Sequence, residues 1–161
     1  MEQKILRILE KEGRATPKDI AIELSLEEKE VERIIADLEE RGVIGGYKAM
    51  INWNKYDENL VSALIELKVT PQLDQGFDRV AEKIYQFEHV KNVYLMSSGS
   101  YDLSVMIEGK NLKEVAGFVA EKLAPMECIT STSTHFILKR YKEGGIIYEG
   151  EKVDGRQVVE F

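Results

Sequence analysis

Val61-Ser62-Ala63-Leu64-Ile65-Glu66-Leu67-Lys68-Val69 is the stretch on which the fold turns. Val61, Ala63, Ile65, Leu67 and Val69 repeat with a period of two, so a single extended strand carries one wholly apolar face. Pro71 ends it. Upstream, the chain reads with a helical period instead. Ile5, Leu6, Ile8 and Leu9 form a first stripe that stops at Gly13. Thr16-Pro17-Lys18-Asp19 then opens a second helix: Thr16 suits the N-cap, Pro17 the first helical position and Asp19 the positive end of the dipole. Ile20, Ala21 and Leu24 are its apolar stripe, and Ser25-Leu26 breaks it. Val31, Ile34, Ile35 and Leu38 mark a third helix ending at Gly42. Three short helices with a tight turn between the last two describe a helix-turn-helix.

Downstream of the strand, Phe77, Val80, Ala81 and Ile84 give an amphipathic helix, and Val90–Met96 a second strand. Ser97-Ser98-Gly99-Ser100 turns the chain into a third strand, Tyr101–Glu108. Leu112, Val115, Ala116, Val119 and Leu123 mark another helix, and Ile129–Tyr141 a long fourth strand. Strand-helix-strand-strand-helix-strand is the ferredoxin-like order. Such a sheet covers one face with helices and leaves the other to solvent or to a second copy of the chain. The expected class is therefore α+β: a three-helix winged helix-turn-helix domain (1–46), a linker (47–58), a ferredoxin-like βαββαβ domain (59–142) and a tail (143–161). In the tail, Ile146–Glu149 and Gln157–Glu160 flank Asp154-Gly155, a hairpin signal.

The 161 residues suffice for two small domains, and 43% apolar with 32% charged residues suits a globular protein. Cys128 is the only cysteine, which excludes an internal disulfide and points to a reducing compartment. No apolar run reaches the roughly 20 residues of a membrane span, and Met1-Glu2-Gln3-Lys4 does not open a signal peptide. A cytoplasmic protein with no membrane partner is expected. His89 and His135 share no metal-ligand spacing with Cys128, and no phosphate-cradling or nucleophile-elbow motif occurs. Neither metal, cofactor nor catalytic residue is expected.

Three short motifs, in order, resemble the Lrp/AsnC (leucine-responsive/asparagine regulator) family of transcription regulators. Leu38-Glu39-Glu40-Arg41-Gly42-Val43-Ile44-Gly45-Gly46-Tyr47 is similar to the family's junction, where Leu-Glu runs into Gly-(Val/Phe)-Ile-x-Gly-Tyr. Ser98-Gly99-Ser100-Tyr101-Asp102-Leu103 resembles its Gly-Asp-(Tyr/Phe)-Asp loop, with Ser100 where relatives carry Asp. Thr132-Ser133-Thr134 with Ile137 and Leu138 resembles its Thr-x-Thr-x-x-Val-(Leu/Met) strand; the preceding Glu127-Cys128 replaces a Pro-Gly turn. The match spans residues 3–142. It implies a regulator that binds double-stranded DNA, senses a small molecule such as an amino acid, and forms homodimers that build octamers. Haem-precursor decarboxylases also look like this family, but no His- and Arg-rich signature supports an enzyme.

Under that resemblance the third helix enters the major groove. Arg14, Lys18, Lys29, Glu32 and Arg33 are the expected DNA-binding residues; an acidic residue at a base edge is compatible with this, since glutamate can accept from cytosine N4. The charge is discordant. Residues 27–41 hold three cations and seven anions, a net of −4, within a chain of −7. Phosphates would be repelled by such a surface taken as a whole, so a sensing or oligomerisation module that no longer reads DNA is the alternative. The expected effector site is Ser98, Gly99, Ser100, Tyr101 and Asp102 with Thr132 and Thr134. Backbone N–H groups of the turn suit a ligand carboxylate, and Asp102 an ammonium group. Read without the resemblance, the same residues make an ordinary hairpin turn and a hydroxyl-rich strand. Cys128 is expected to pack rather than react.

Overall fold

The computed structural model describes residues 1–56, 59–70, 76–97 and 99–148. The chain divides into two compact units, Met1–Ile51 and Asn52–Phe161.

In the first unit, α1 (Glu2–Lys11), α2 (Pro17–Leu24) and α3 (Glu28–Glu40) enclose Ile5, Ile20, Ala21 and Val31. Ile8, Leu9, Leu24, Ile34 and Ile35 close the rim of this core, and Leu38 is buried as well. Thr16 caps α2 as its sequence predicts. The Asp19 N–H donates to the Thr16 hydroxyl, and the Thr16 N–H donates back to the Asp19 carboxylate at 3.0 Å. This reciprocal pair satisfies two donors that a helix start otherwise leaves open. These bonds from Thr16 hold the Asp19 carboxyl below its ordinary pKa. Ser25, left-handed at φ 54°, makes the tight turn to α3. Gly42, at φ 67°, ends α3 by turning the N–H groups of Val43 and Ile44 back onto the Leu38 carbonyl.

The second unit opens with a one-turn helix, α4 (Trp53–Tyr56). There follow β1 (Val61–Val69), α5 (Gly76–Tyr85), β2 (Val90–Leu95), β3 (Leu103–Gly109), α6 (Leu112–Phe118) and β4 (Ile129–Phe136). The four strands form one antiparallel sheet in the order β2-β3-β1-β4, which is the ferredoxin-like topology. Ala63, Ile65 and Leu67 of β1, with Leu103, Val105 and Ile107 of β3, face Val80, Ile84, Val115, Phe118 and Leu123 from the helices. Cys128 packs half-buried against this core. Beyond Phe118 the helix continues as a π-helical turn, Val119–Leu123.

The expected fourth strand is shorter than its composition suggests. Ala63 pairs with Phe136, and the Ile137 N–H donates to the Ser62 carbonyl. There β1 begins, so β4 runs out of partner. The chain beyond turns to make β5 (Lys142–Glu143) and β6 (Ile146–Ile147), paired across Gly144-Gly145. Residues 157–160 and Asp154-Gly155, expected to complete a tail hairpin, lie outside the described residues.

The even-numbered residues of β1 and β3 make the second sheet face. Leu64 and Met106 are its half-buried apolar members, and Tyr94 lies beside them on β2 at 53% exposed. Arg140 crosses one end of this face. Its guanidinium donates to the Ser62 hydroxyl at 2.6 Å and to Glu108 at 3.1 Å, with the side chain only 13% exposed.

Candidate functional site

Helix α3 presents two different surfaces. At 3.6 residues per turn, Val31, Ile34, Ile35 and Leu38 share its inward side. The stripe directly opposite is Lys29, Arg33, Ala36 and Glu40, all exposed. Both cations of the helix therefore lie on its outward axis, one turn apart. The acids sit on its shoulders: Glu28, Glu32 and Glu39 on one side, Glu30 and Asp37 on the other.

Several of these charges are already engaged within the unit. The Arg41 guanidinium donates to Asp37 at 2.6 Å and to Glu2 at 3.1 Å. The Tyr47 hydroxyl donates to Glu39 at 2.9 Å. Partial burial, and then this carboxylate, raise the Tyr47 pKa. A net of −4 thus describes the segment but not its outward face. Lys29 and Arg33 enter no ion pair among the described residues. Arg14 and Lys18, exposed at the start of α2, complete the expected cationic set.

The loop expected to hold an effector lies in the second unit, between β2 and β3. Asp102 is its anchor. The Val69 N–H donates to one carboxylate oxygen at 2.8 Å, and Lys68 Nζ stands 3.3 Å from the other. The Asp102 N–H donates to the Leu67 carbonyl at 2.9 Å, and the Asp102 carbonyl accepts from the Met96 N–H at 2.8 Å. The carboxylate is only 16% exposed. The Val69 N–H, with help from Lys68, holds its pKa below the ordinary carboxylate range. Asp102 is therefore a clamp on the end of β1, with both carboxylate oxygens in use.

Tyr101 turns to the open sheet face, where it meets Glu66. That negative charge, more than burial, raises the tyrosine's pKa. Glu66 also lies 3.1 Å from His135 Nε2, which is 3.3 Å from the Ser133 hydroxyl. Tyr101, Glu66, His135 and Ser133 thus form one polar cluster. Thr132 and Thr134 are elsewhere. They pair with Leu67 and Ile65, whose side chains are in the core, and so share the helix-covered face. The expected effector residues are split between two faces of the sheet. Gly99 and Ser100 are exposed at the loop tip, and Ser98 lies outside the described residues.

No local motif singles out Glu66, Lys68 or His135. The signal for Glu66 and Lys68 was their even position in β1. The pairing that brings His135 to Glu66 spans 69 residues, and no local pattern announces it.

Comparison with known proteins assigns the chain. The sequence pattern described as the Lrp/AsnC ligand binding domain matches residues 62–147. The chain belongs to the Lrp/AsnC family. A second pattern, winged helix-turn-helix DNA-binding, matches residues 1–44. An uncharacterized HTH-type transcriptional regulator of Bacillus subtilis, YugG, is 48% identical over 98% of this chain and 95% of its own length. The regulator LrpA of Pyrococcus horikoshii is 32% identical over 86% of this chain and 94% of its own. Among solved structures, a transcriptional regulator of Neisseria meningitidis in complex with L-Met superposes with a TM-score of 0.72. It covers 88% of this chain and 90% of its own at 20% identity, a likeness of fold. The protein is a transcriptional regulator with a DNA-binding helix-turn-helix and a ligand-binding domain, in a family of regulators rather than enzymes.

Replacing Asp102 tests the clamp. A carboxyl with a depressed folded-state pKa stabilises the fold above its unfolded pKa, and that contribution is lost as pH falls through the folded value. Asp102→Asn should therefore lower stability at about pH 7 and flatten its decline towards about pH 3. Chemical denaturation across that range reads both effects.

Proposed function

We infer that this chain is an operator-binding regulator that responds to an amino acid and works as a homodimer able to assemble further, up to an octamer. The observation that carries the DNA-binding part is the outward stripe of α3. Phosphate neutralisation supplies most of the non-specific affinity for DNA. Lys29 and Arg33 would provide it, together with Arg14 and Lys18, exposed near the start of α2, while the Asp37 carboxylate is held by Arg41. Linking two such headpieces in a dimer raises the effective affinity of each.

The amino-acid reading draws on the family's ligand-binding domain and on the L-Met complex of the Neisseria relative. The exposed Gly99 and Ser100 at the loop tip suit a ligand carboxylate. Asp102 is committed to the Val69 N–H and to Lys68, so the ammonium group falls instead to Glu66, which would exchange its contact with His135 or Tyr101 for the ligand. Thr132 and Thr134 act from the other face, as support for β4.

The dimer reading draws on the open sheet face. Leu64, Met106 and Tyr94 form an apolar strip on the sheet face opposite the one that α5 and α6 cover. A second copy of the same face would bury it.

Three measurements test these parts separately. Arg33→Ala should weaken operator binding in a gel-shift titration and reduce the salt slope by about one; an unchanged titration removes Arg33 from the interface. A thermal-shift screen of the twenty amino acids should raise the melting temperature with at least one of them, since a ligand of the folded state stabilises it. Leu64→Glu should convert a dimer to a monomer in sedimentation velocity while leaving the circular dichroism spectrum unchanged.

A further inference from the structure

Helix α3 places a carboxylate where a groove-reading helix usually carries a donor. Glu32 is exposed on the shoulder of the outward stripe, next in sequence to Arg33 and one turn from both Lys29 and Ala36. Unlike those of Asp37 and Glu39, its carboxylate has no hydrogen bond or ion pair among the described residues. It is therefore free to meet the DNA.

An ionised carboxylate only accepts hydrogen bonds. The floor of the major groove presents mostly acceptors: guanine O6 and N7, adenine N7 and thymine O4. Amino donors come only from cytosine N4 and adenine N6. Adenine places N7 beside its amino group, so one carboxylate oxygen would face an acceptor. Cytosine's amino donor has C5–H on one side and only the paired guanine O6 on the other, whereas adenine's lies between its own N7 and the paired thymine O4. A carboxylate pressed against guanine or thymine is desolvated without a partner, and against adenine it gains one donor but crowds an acceptor; both are costly. Glu32 thus excludes wrong sequences more strongly than it attracts the right one, as a repulsive element does in a specific interface. Arg33 complements it, having donors only and a planar fork that matches O6 and N7 of guanine.

We propose that Glu32 selects cytosine and Arg33 selects guanine at neighbouring base pairs of the operator half-site, so that the acidic helix suppresses binding to unrelated DNA. This rests on the operator-binding reading above.

The test is selection of duplexes from a randomised pool by the full-length protein, followed by anisotropy titration of the selected and random duplexes. Wild type should enrich a half-site with adjacent cytosine and guanine, each preferred on the order of ten-fold over other bases. Glu32→Gln should lose the cytosine and move towards adenine, because a glutamine amide matches N6 and N7. It should also bind random duplex several-fold more tightly. Glu28→Gln, another shoulder acid, should raise affinity for random duplex without changing the selected sequence; that contrast separates base reading from bulk charge. The proposal is overturned if Glu32→Gln selects the wild-type sequence, or if wild type binds duplex without enriching any sequence; operator-independent binding then still stands. If wild type binds no duplex even at low salt, the operator-binding reading falls with it.

Discussion

The second unit is organised around the strict alternation of β1. This strand is central, paired to β3 on one side and β4 on the other. Ala63, Ile65 and Leu67 are completely buried among the helices. A register slip of one residue would put Glu66 and Lys68 into that core and Ile65 on the open face. Every other strand of the four-stranded sheet therefore takes its position from this one, directly or through β3. So does the polar cluster, because Glu66, paired with Ser133, is held within reach of His135 and Tyr101 only while Ile65 and Leu67 stay inside.

Much of this was legible before any coordinates. A period of two over nine residues, or of 3.6 with a Thr-Pro-x-Asp start, is local and cooperative, and β1 and α2 emerged with those boundaries. The end of β4 did not. Its residues favour extended structure as far as Tyr141, but a strand lasts only as long as its partner, and β1 starts at Val61. Strand length is a property of the pair, and one strand's composition cannot supply it.

The site was legible in proportion to its locality. Lys29 and Arg33 lie on one helix, so their common direction follows from their spacing alone. The net charge of the segment was the misleading quantity, because it adds acids on the shoulders to cations on the axis. The quenching of Asp37 by Arg41 is also a short-range, i,i+4 contact. The sensor residues are different. Asp102 is close in sequence to Ser100 and Tyr101, yet its partners Lys68 and Val69 are more than thirty residues away. The geometry turns an apparent ligand carboxylate into part of the scaffold.

That scaffold role bears on how a signal would travel. Asp102 joins four groups at once: the Met96 and Val69 amides, the Leu67 carbonyl and the Lys68 ammonium. The loop tip at Gly99 and Ser100 is consequently hinged from a point welded to the central strand. Small excursions of the tip leave the weld intact and transmit nothing. An excursion large enough to move Asp102 breaks several bonds together and frees the end of β1 in the same step. Asp102 thus ties the strand leading into the loop, the strand leaving it and the end of β1 into one bonded unit.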